Sequence, residues 1–315
     1  MAPDTTPQHT LPVKMIIDTD PGIDDAMAIF YAAGAPEIDL IGLTTVFGNV
    51  RVDQSTRNAL ALLEMLNLNI PVAGGALQPK DMPPLPLAHW IHGQEGLGDL
   101  PAPSPARSAD TRDAATFLAE TCAASPGEVT IAAIGPLTNL AEALSRTPEI
   151  AETAGRVLIM GGSVRAGGNA TPYAEANIWH DPHAAEAVFA AGWNVEMVGL
   201  DVTRRIECDA ADFAKLAALA PVYGGFLHDI AQFYMKFYET RTGRLSCCLH
   251  DPAALIAAVH PALFTWEEHP LAAITSGDHI GETVITEGRP PIAWTADADI
   301  EAVRALWLST VQNLG

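Results

Sequence analysis

The chain alternates short apolar runs with stretches whose apolar residues recur at helical spacing. VKMIID at 13–18 is a near-continuous strand-like run, and DDAMAIFYAAG at 24–34 is helical until Gly34 stops it. IDLIGLTTVFG at 38–48 predicts a second strand, after which Asp53 is placed to cap a helix through QSTRNALALLEMLN, with IPVAGG following. EVTIAAIG (128–135), RVLIMGG (156–162) and NVEMVGLDV (194–202) repeat the strand pattern, with helical LTNLAEAL and HAAEAVFAAG (183–192) between them. The apolar runs are continuous rather than alternating, as in a parallel sheet covered on both faces. Repeated strand–helix units predict an α/β fold, a doubly wound and mostly parallel sheet with a Rossmann-like core.

Residues 203–249 break this rhythm. DAADFAKLAALA and GGFLHDIAQFYMKFYE are amphipathic helices with no strand between them, and they predict a helical appendage on the sheet. The second helix carries an aromatic stripe of Phe226, Phe233, Tyr234, Phe237 and Tyr238. The Pro-rich stretch at 79–106 is a long loop, and loops of that length in compact folds are commonly functional or disordered. Residues 1–12 are expected to be a flexible lead-in, without the basic start and apolar core of a signal peptide.

Composition narrows the function. With 49% apolar and 17% charged residues, the chain has the makings of a large buried core. A net charge of −21 argues against nucleic acid and anionic membrane as partners and suits cations. No segment approaches the roughly 20 uninterrupted apolar residues of a membrane span. The four cysteines, Cys122, Cys208, Cys247 and Cys248, show no CxxC spacing, which predicts reduced thiols in a cytoplasmic protein rather than a zinc site or a disulfide frame.

The polar clusters fall where the predicted strands end, which is where open α/β sheets bind ligands. The first is IIDTDPGIDDAMAI at 16–29, with Asp18, Asp20, Asp24 and Asp25 crowded together. Asp-Pro-Gly alone is a turn, and Asp24 alone is a helix cap. Four carboxylates this close also make a site for a hard cation, Ca²⁺ or Mg²⁺. TTVFGN leaves Asn49 at the second strand end, and the Gly-rich loop 160–177 carries Met160, Asn169, Glu175 and Asn177. His-Asp-Pro occurs twice, at 180–182 and 250–252, each time before a helical run. Asp followed by Pro is an ordinary helix start, so spacing does not say which copy, if either, does chemistry. His92 lies in the long loop, where a lone histidine is either solvated or part of a lid, and Tyr234 and Tyr238 share a helix face as core or as a ligand stack.

Together these segments resemble the inosine–uridine preferring nucleoside hydrolase family. The resemblance runs from Lys14 to the C-terminal helix and centres on DTDPGIDDAMAI, which matches the family's DxDPGxDDA signature. TTVFGN, IHGQEGLG, IGPLTNLA, MGG, GNATPYAEAN, MVGLDVT and HDP follow in the family's order. The resemblance implies one hydrolase domain over 13–315 that cleaves the N-glycosidic bond of ribonucleosides with Ca²⁺. It implies Asp20, Asp25, Asp251 and the backbone carbonyl of Ile134 as metal ligands. The family often has Thr at the Ile134 position, which a carbonyl ligand tolerates. Asp20 would also be the base for the attacking water, and His250 the proton donor to the leaving group. Asp24, Asn177 and Asp251 would hold the ribose 2′- and 3′-hydroxyls, with Asn49 near the same edge. Asn169 and Glu175 would hold the 5′-hydroxyl beside Met160, His92 would close over the nucleoside, and Tyr234 and Tyr238 would flank the base. Asp18 would support the loop without a ligand role. A homo-oligomer, tetramer before dimer, is implied as well, in purine or pyrimidine salvage.

Two other readings fit parts of the pattern. A haloacid dehalogenase-type phosphotransferase also begins strand-DxD and would use Asp18 as nucleophile, with GDHIGE at 277–282 as a weak later motif; Pro21-Gly22 stands where that family has Gly-Thr. A non-catalytic nucleoside- or ribose-binding protein would keep the pocket without turnover, and intact Asp20 and His250 speak against it. Base preference is not legible in these residues.

Overall fold

The computed structural model describes residues 11–314, so most of the expected lead-in lies outside the described residues. Twelve strands occur in chain order: β1 (Val13–Thr19), β2 (Ile38–Thr45), β3 (Val72–Gly74), β4 (Val129–Ala133), β5 (Arg156–Met160), β6 (Val195–Val198), β7 (Glu207–Asp209), β8 (Ser246–Cys248), β9 (Phe264–His269), β10 (Leu271–Ala273), β11 (Thr283–Ile285) and β12 (Ile292–Ala298). Eight form one sheet in the order β3-β2-β1-β4-β5-β6-β12-β9, parallel except for β9, which runs antiparallel to β12 at the edge. This is the doubly wound α/β architecture that the apolar runs predict.

The packing explains why those runs do not alternate. Met15 and Ile17 face one core, shared with helices Ile23–Gly34, His250–Val259 and Ile300–Gln312, whereas Ile16 faces a second core under helices Ala114–Ala124, Thr138–Arg146 and Pro182–Ala190. Each strand must be apolar on both sides because both sides are covered. The chain winds from β1 outward through β2 and β3, then returns to place β4 on the other side of β1. The connections after β1 and β4 therefore diverge, and a crevice opens at the carboxyl ends of this pair.

Several boundaries differ from the sequence expectation. The second strand stops at Thr45, and the following helix spans Val52–Met65 with Arg51, not Asp53, at its N-cap. Asp53 is instead paired with the Arg51 guanidinium at 2.6 Å. The NVEMVGLDV run divides into β6 and a single helical turn, Leu200–Thr203. The long loop contains one helical turn, His89–His92. The appendage consists of helices Ala210–Leu219 and Tyr223–Thr242, and short antiparallel β7 and β8 close its base, a pair with too few residues to show a period. Tyr223 and Phe226 dock it on the first helix, with the Phe226 ring stacked on Phe30 at 5.6 Å. Cys122, Cys208, Cys247 and Cys248 are buried free thiols. No helix among the described residues is long and apolar enough to cross a membrane.

Candidate active site

The crevice at the ends of β1 and β4 is built around buried carboxylates. Asp25 anchors the turn that starts the first helix. Its Oδ2 accepts from the Gly22 amide (2.9 Å) and the Asn49 side chain (3.0 Å), and its Oδ1 accepts from the Thr19 hydroxyl (2.5 Å) and the Asp20 amide (3.2 Å). The capping carboxylate is therefore Asp25, not Asp24, which leaves Asp24 free to face the cavity. Gly22 is required here, since a Cβ would sit 2.6 Å from His92 Nδ1 and 2.7 Å from the Asn49 amide nitrogen. Asp20 accepts the Asn49 amide at Oδ2 (2.6 Å), while its Oδ1 is buried without a partner. Gly48 and Gly135 cradle that carboxylate, and a Cβ on Gly135 would lie 2.7 Å from Oδ1.

Asp24, Asp25 and Asp251 each bring an oxygen within 4.8 Å of the others. Burial pushes Asp24 up to about 7, with the charge of Asp25 adding to it. Burial, then Asp25, holds Asp20 well above the usual carboxylate range, and burial, then Asp24, Asp25 and Asp20, does the same to Asp251. Burial and mutual repulsion favour the protonated forms of these groups; a divalent ion would stabilise them as anions in the same space. Asp18 stands apart. It is fully buried and accepts from Thr44 (2.6 Å) and Asn139 (2.7 Å), so it ties β1 to β2 and to helix Thr138–Arg146 and does not line the cavity. A phosphotransferase nucleophile in that position would be out of reach.

Helix Tyr223–Thr242 forms one wall. Its aromatic stripe divides: Phe226 packs on the first helix, whereas Tyr234, Phe237 and Tyr238 line the cavity. The Tyr234 hydroxyl donates to Asp24 Oδ2 (3.1 Å) and lies 3.4 Å from the Tyr238 hydroxyl, which is 2.8 Å from His250 Nε2; His250 Nδ1 lies 2.7 Å from the Thr203 hydroxyl. Burial lowers the His250 ring to about 3, with Arg204 contributing, so it rests neutral. His92 is buried, not solvated. The Ile23 amide donates to its Nδ1 (3.1 Å), which places the ring hydrogen on Nε2. Burial, then His250 and His180, lowers this ring to about 3 as well.

The opposite wall follows β5. Glu175 caps helix Ala176–His180, accepting from Asn177 and Ile178, and also from the Gly162 amide at 3.0 Å. Asn169 accepts from the Ala176 amide at 3.0 Å. The Asn177 side chain donates to the carbonyls of Ile134 (2.9 Å) and Met160 (3.1 Å). A carbonyl has two lone pairs, so Ile134 keeps one for another partner. The two His-Asp-Pro copies separate cleanly. Asp181 caps helix Pro182–Ala190 by accepting from Ala184 at 3.0 Å, an ordinary helix start. Asp251 makes no cap bond for helix His250–Val259 and joins the acidic group instead.

Comparison with known proteins identifies the family. The family model described as inosine-uridine preferring nucleoside hydrolase matches residues 15–306. The chain belongs to the nucleoside hydrolase family. It is 38% identical over 309 residues to uridine nucleosidase 1 of Arabidopsis thaliana, covering 93% of this chain and 92% of that protein. It is 36% identical over 295 residues to the pyrimidine-specific ribonucleoside hydrolase RihA of Salmonella typhimurium, covering 91% and 94%. Among solved structures it is similar to the plant nucleoside hydrolase PpNRh1 (TM-score 0.91, 36% identity, 96% of this chain and 99% of that one). It is also similar to a purine-preferring ribonucleoside hydrolase from Gardnerella vaginalis (TM-score 0.92, 32% identity, 96% and 98%). The protein is thus an enzyme that hydrolyses N-glycosyl bonds of ribonucleosides.

In this nucleoside hydrolase one cavity is lined by Asp24, Asn49, His92, Ile134, Met160, Asn169, Glu175, Asn177, Tyr234, Tyr238, His250 and Asp251. Asp20 and Asp25 are buried residues outside that lining. The sequence reading missed Trp90, Trp179, His180, Phe237 and Arg241, which also line it. His180 carried a signal, the first His-Asp-Pro, but the helix start at Asp181 accounted for that motif. Trp90 and Arg241 sit in the long loop and at the end of the appendage, where no period marks a wall.

Proposed function

We propose that the enzyme hydrolyses ribonucleosides to free base and ribose in a Ca²⁺-dependent reaction. The observation that carries the reading is the buried acidic group at the cavity, Asp24, Asp25 and Asp251, with the unpartnered Asp20 Oδ1 nearby. The donor set fits a hard cation: carboxylate oxygens of Asp20, Asp25 and Asp251 and the carbonyl of Ile134. When bound, Ca²⁺ supplies positive charge and Lewis acidity to the reacting oxygens.

The chain's own groups do the rest. Asp24, Asn177 and Asp251 hold the ribose 2′- and 3′-hydroxyls, while Asn169 and Glu175 hold the 5′-hydroxyl beside Met160. Asn49, whose amide fixes Asp20, keeps that carboxylate aimed. Asp20 Oδ1 accepts a proton from the attacking water. Water oxygen joins C1′ as the C1′–N bond breaks, and the bond pair leaves with the base. The surrounding carboxylates stabilise positive charge on the ribose ring. The Tyr238–His250 pair supplies the proton that the departing base takes, and His92 and Tyr234 cover the nucleoside.

Residues 13–315 are read as one catalytic domain because one sheet spans Val13 to Ala298. By the same resemblance the enzyme is a homo-oligomer, tetramer before dimer, serving purine or pyrimidine salvage in the cytoplasm, where buried free thiols persist. Incubation with uridine, cytidine, inosine and adenosine tests the core of the proposal. Equimolar free base and ribose are expected. Binding without release from any of them would point to a nucleoside-binding protein.

A further inference from the structure

The loop between β5 and helix Ala176–His180 brings Asn169 to the cavity, yet no helix or strand runs from Gly161 to Glu175. Its tip is bonded to itself. The Gly168 amide donates to the Pro172 carbonyl, the amides of Asn169 and Ala170 donate to the Ala174 carbonyl, and the Asn169 side chain accepts from the Ala176 amide. These bonds keep the tip's shape but do not fix its place against the sheet. One short segment supplies that. Asp201, in the helical turn Leu200–Thr203, accepts from the amides of Val164 (2.8 Å), Arg165 (2.7 Å) and Ala166 (2.9 Å). Arg204 follows that turn. Its Nη1 donates to the Ala166 carbonyl (2.6 Å), and its Nη2 donates to the carbonyls of Gly167 and Gly168 (3.2 Å each).

In extended backbone successive carbonyls point to alternate sides, so one guanidinium could not collect three in a row. Gly167 turns the chain with a φ of +69°, which glycine adopts without strain. Arg204 thereby grips the residues immediately before Asn169, and its planar fork of donors suits several acceptors at once. The other side-chain ties to this loop are more exposed. Arg165 pairs with Glu267 at 2.7 Å, and beyond Asn169 the Tyr173 ring stacks on His279 at 3.8 Å; Arg165 and Tyr173 are exposed, whereas Arg204 is half-buried. Arg204 does not line the cavity, so any effect it has on a nucleoside passes through the loop. A displacement of about 1 Å in a group that positions substrate can cost on the order of 100-fold in rate.

We propose that Arg204 is a positioning residue for the ribose 5′-hydroxyl: by gathering the carbonyls of Ala166, Gly167 and Gly168 it sets Asn169 where that hydroxyl binds. The inference rests on the hydrolase reading and on its placement of the 5′-hydroxyl at Asn169. Without the guanidinium, three carbonyls lose their shared donor and the loop before Asn169 is held from Asp201 alone. The contact to the 5′-hydroxyl then loosens, while the carboxylates on β1 and on helix His250–Val259 keep their own supports. The consequence is selective: Arg204 governs how strongly the enzyme prefers nucleosides that carry a 5′-hydroxyl.

The test is kcat/KM for uridine against 5′-deoxyuridine and for inosine against 5′-deoxyinosine, on the wild type, Arg204→Met, Arg204→Lys and Asn169→Ala. In whichever pair is turned over, the wild type is expected to favour the parent at least about tenfold. Arg204→Met, which keeps an unbranched stem without donors, is expected to narrow that ratio to within about threefold, the loss falling on the parent. Arg204→Lys should recover part of the preference. In Asn169→Ala the preference is already lost, and adding Arg204→Met should narrow it no further. Equal losses on parent and 5′-deoxy substrates in Arg204→Met would mean a general structural role and overturn the proposal. A wild-type preference below about threefold would overturn it without any variant, so a misfolded Arg204→Met does not shelter it. Absence of release from every nucleoside by the wild type would overturn the hydrolase reading, and this inference with it.

Discussion

The hydroxyl of Tyr238 lies 2.8 Å from Nε2 of His250, joining the appendage helix to the second His-Asp-Pro segment. Burial keeps the His250 ring neutral and pushes the Tyr238 phenol well above its usual range, so the pair shares one hydrogen without either group being charged. Such a pair can move a proton to a departing base only as negative charge develops there. Tyr238→Phe is therefore expected to lower kcat on natural nucleosides by about 10–100-fold, and His250→Ala by roughly 10²–10⁴-fold. Both should lose far less on a nitrophenyl riboside, whose leaving group needs no proton. Equal losses on the two substrate types would remove the pair from proton delivery.

Asp20 is assigned the water's proton because its Oδ1 is buried without a partner. Asp20→Asn nearly preserves volume and removes the base. A fall in kcat of at least about 10² is expected, with little change in nucleoside affinity measured by calorimetry. A variant within tenfold of the wild type would place the base elsewhere.

Gly22 allows His92 and the Asn49 side chain to approach the turn. In Gly22→Ala the new Cβ would fall 2.6 Å from His92 Nδ1, so the ring must withdraw and the Ile23 amide loses its acceptor. KM is expected to rise about tenfold, with a thermal stability loss read by calorimetry. An unchanged KM would show that His92 does not contact the nucleoside.

Burial raises Asp18 and Asp24 to about 7 from an unfolded value of 3.8. In that interval the folded protein holds protons that the unfolded chain has lost, so stability falls as pH rises. Metal-depleted enzyme is expected to melt at progressively lower temperature from pH 5 to pH 8. Added Ca²⁺ should raise the melting temperature more at pH 8 than at pH 5, because the ion's charge displaces protons from its ligands and from Asp24 beside them, but not from Asp18. A stabilisation independent of pH would contradict the acidic cluster as the cation's seat.

The sheet was legible because a strand buried on both faces must be apolar at every position, as Met15, Ile16 and Ile17 are. The acidic cluster was legible because Asp-Pro-Gly and Asp-Asp stand at one strand end. Its division of labour was not. Whether Asp24 or Asp25 caps the helix depends on the direction of each side chain, and both sit in the first turn. The two copies of His-Asp-Pro were indistinguishable locally; Asp251 differs from Asp181 only through what long-range folding brings to it. Strands after residue 202 went unseen because β7, β8, β10 and β11 have three residues each, FTWEEH of β9 is a polar edge, and IAWTADA of β12 mixes Thr and Asp into its second half. His180 escaped for another reason: its neighbour's role as a cap explained the motif, while its own ring turned inward.

The most direct measurement is base release from the enzyme's best nucleoside before chelation, after chelation, and after readdition of Ca²⁺ or Mg²⁺, with folding followed by circular dichroism. The account predicts loss of release on chelation with the fold retained, and recovery with Ca²⁺ in the wild type but not in Asp251→Ala. Undiminished release from thoroughly chelated, folded enzyme would contradict it.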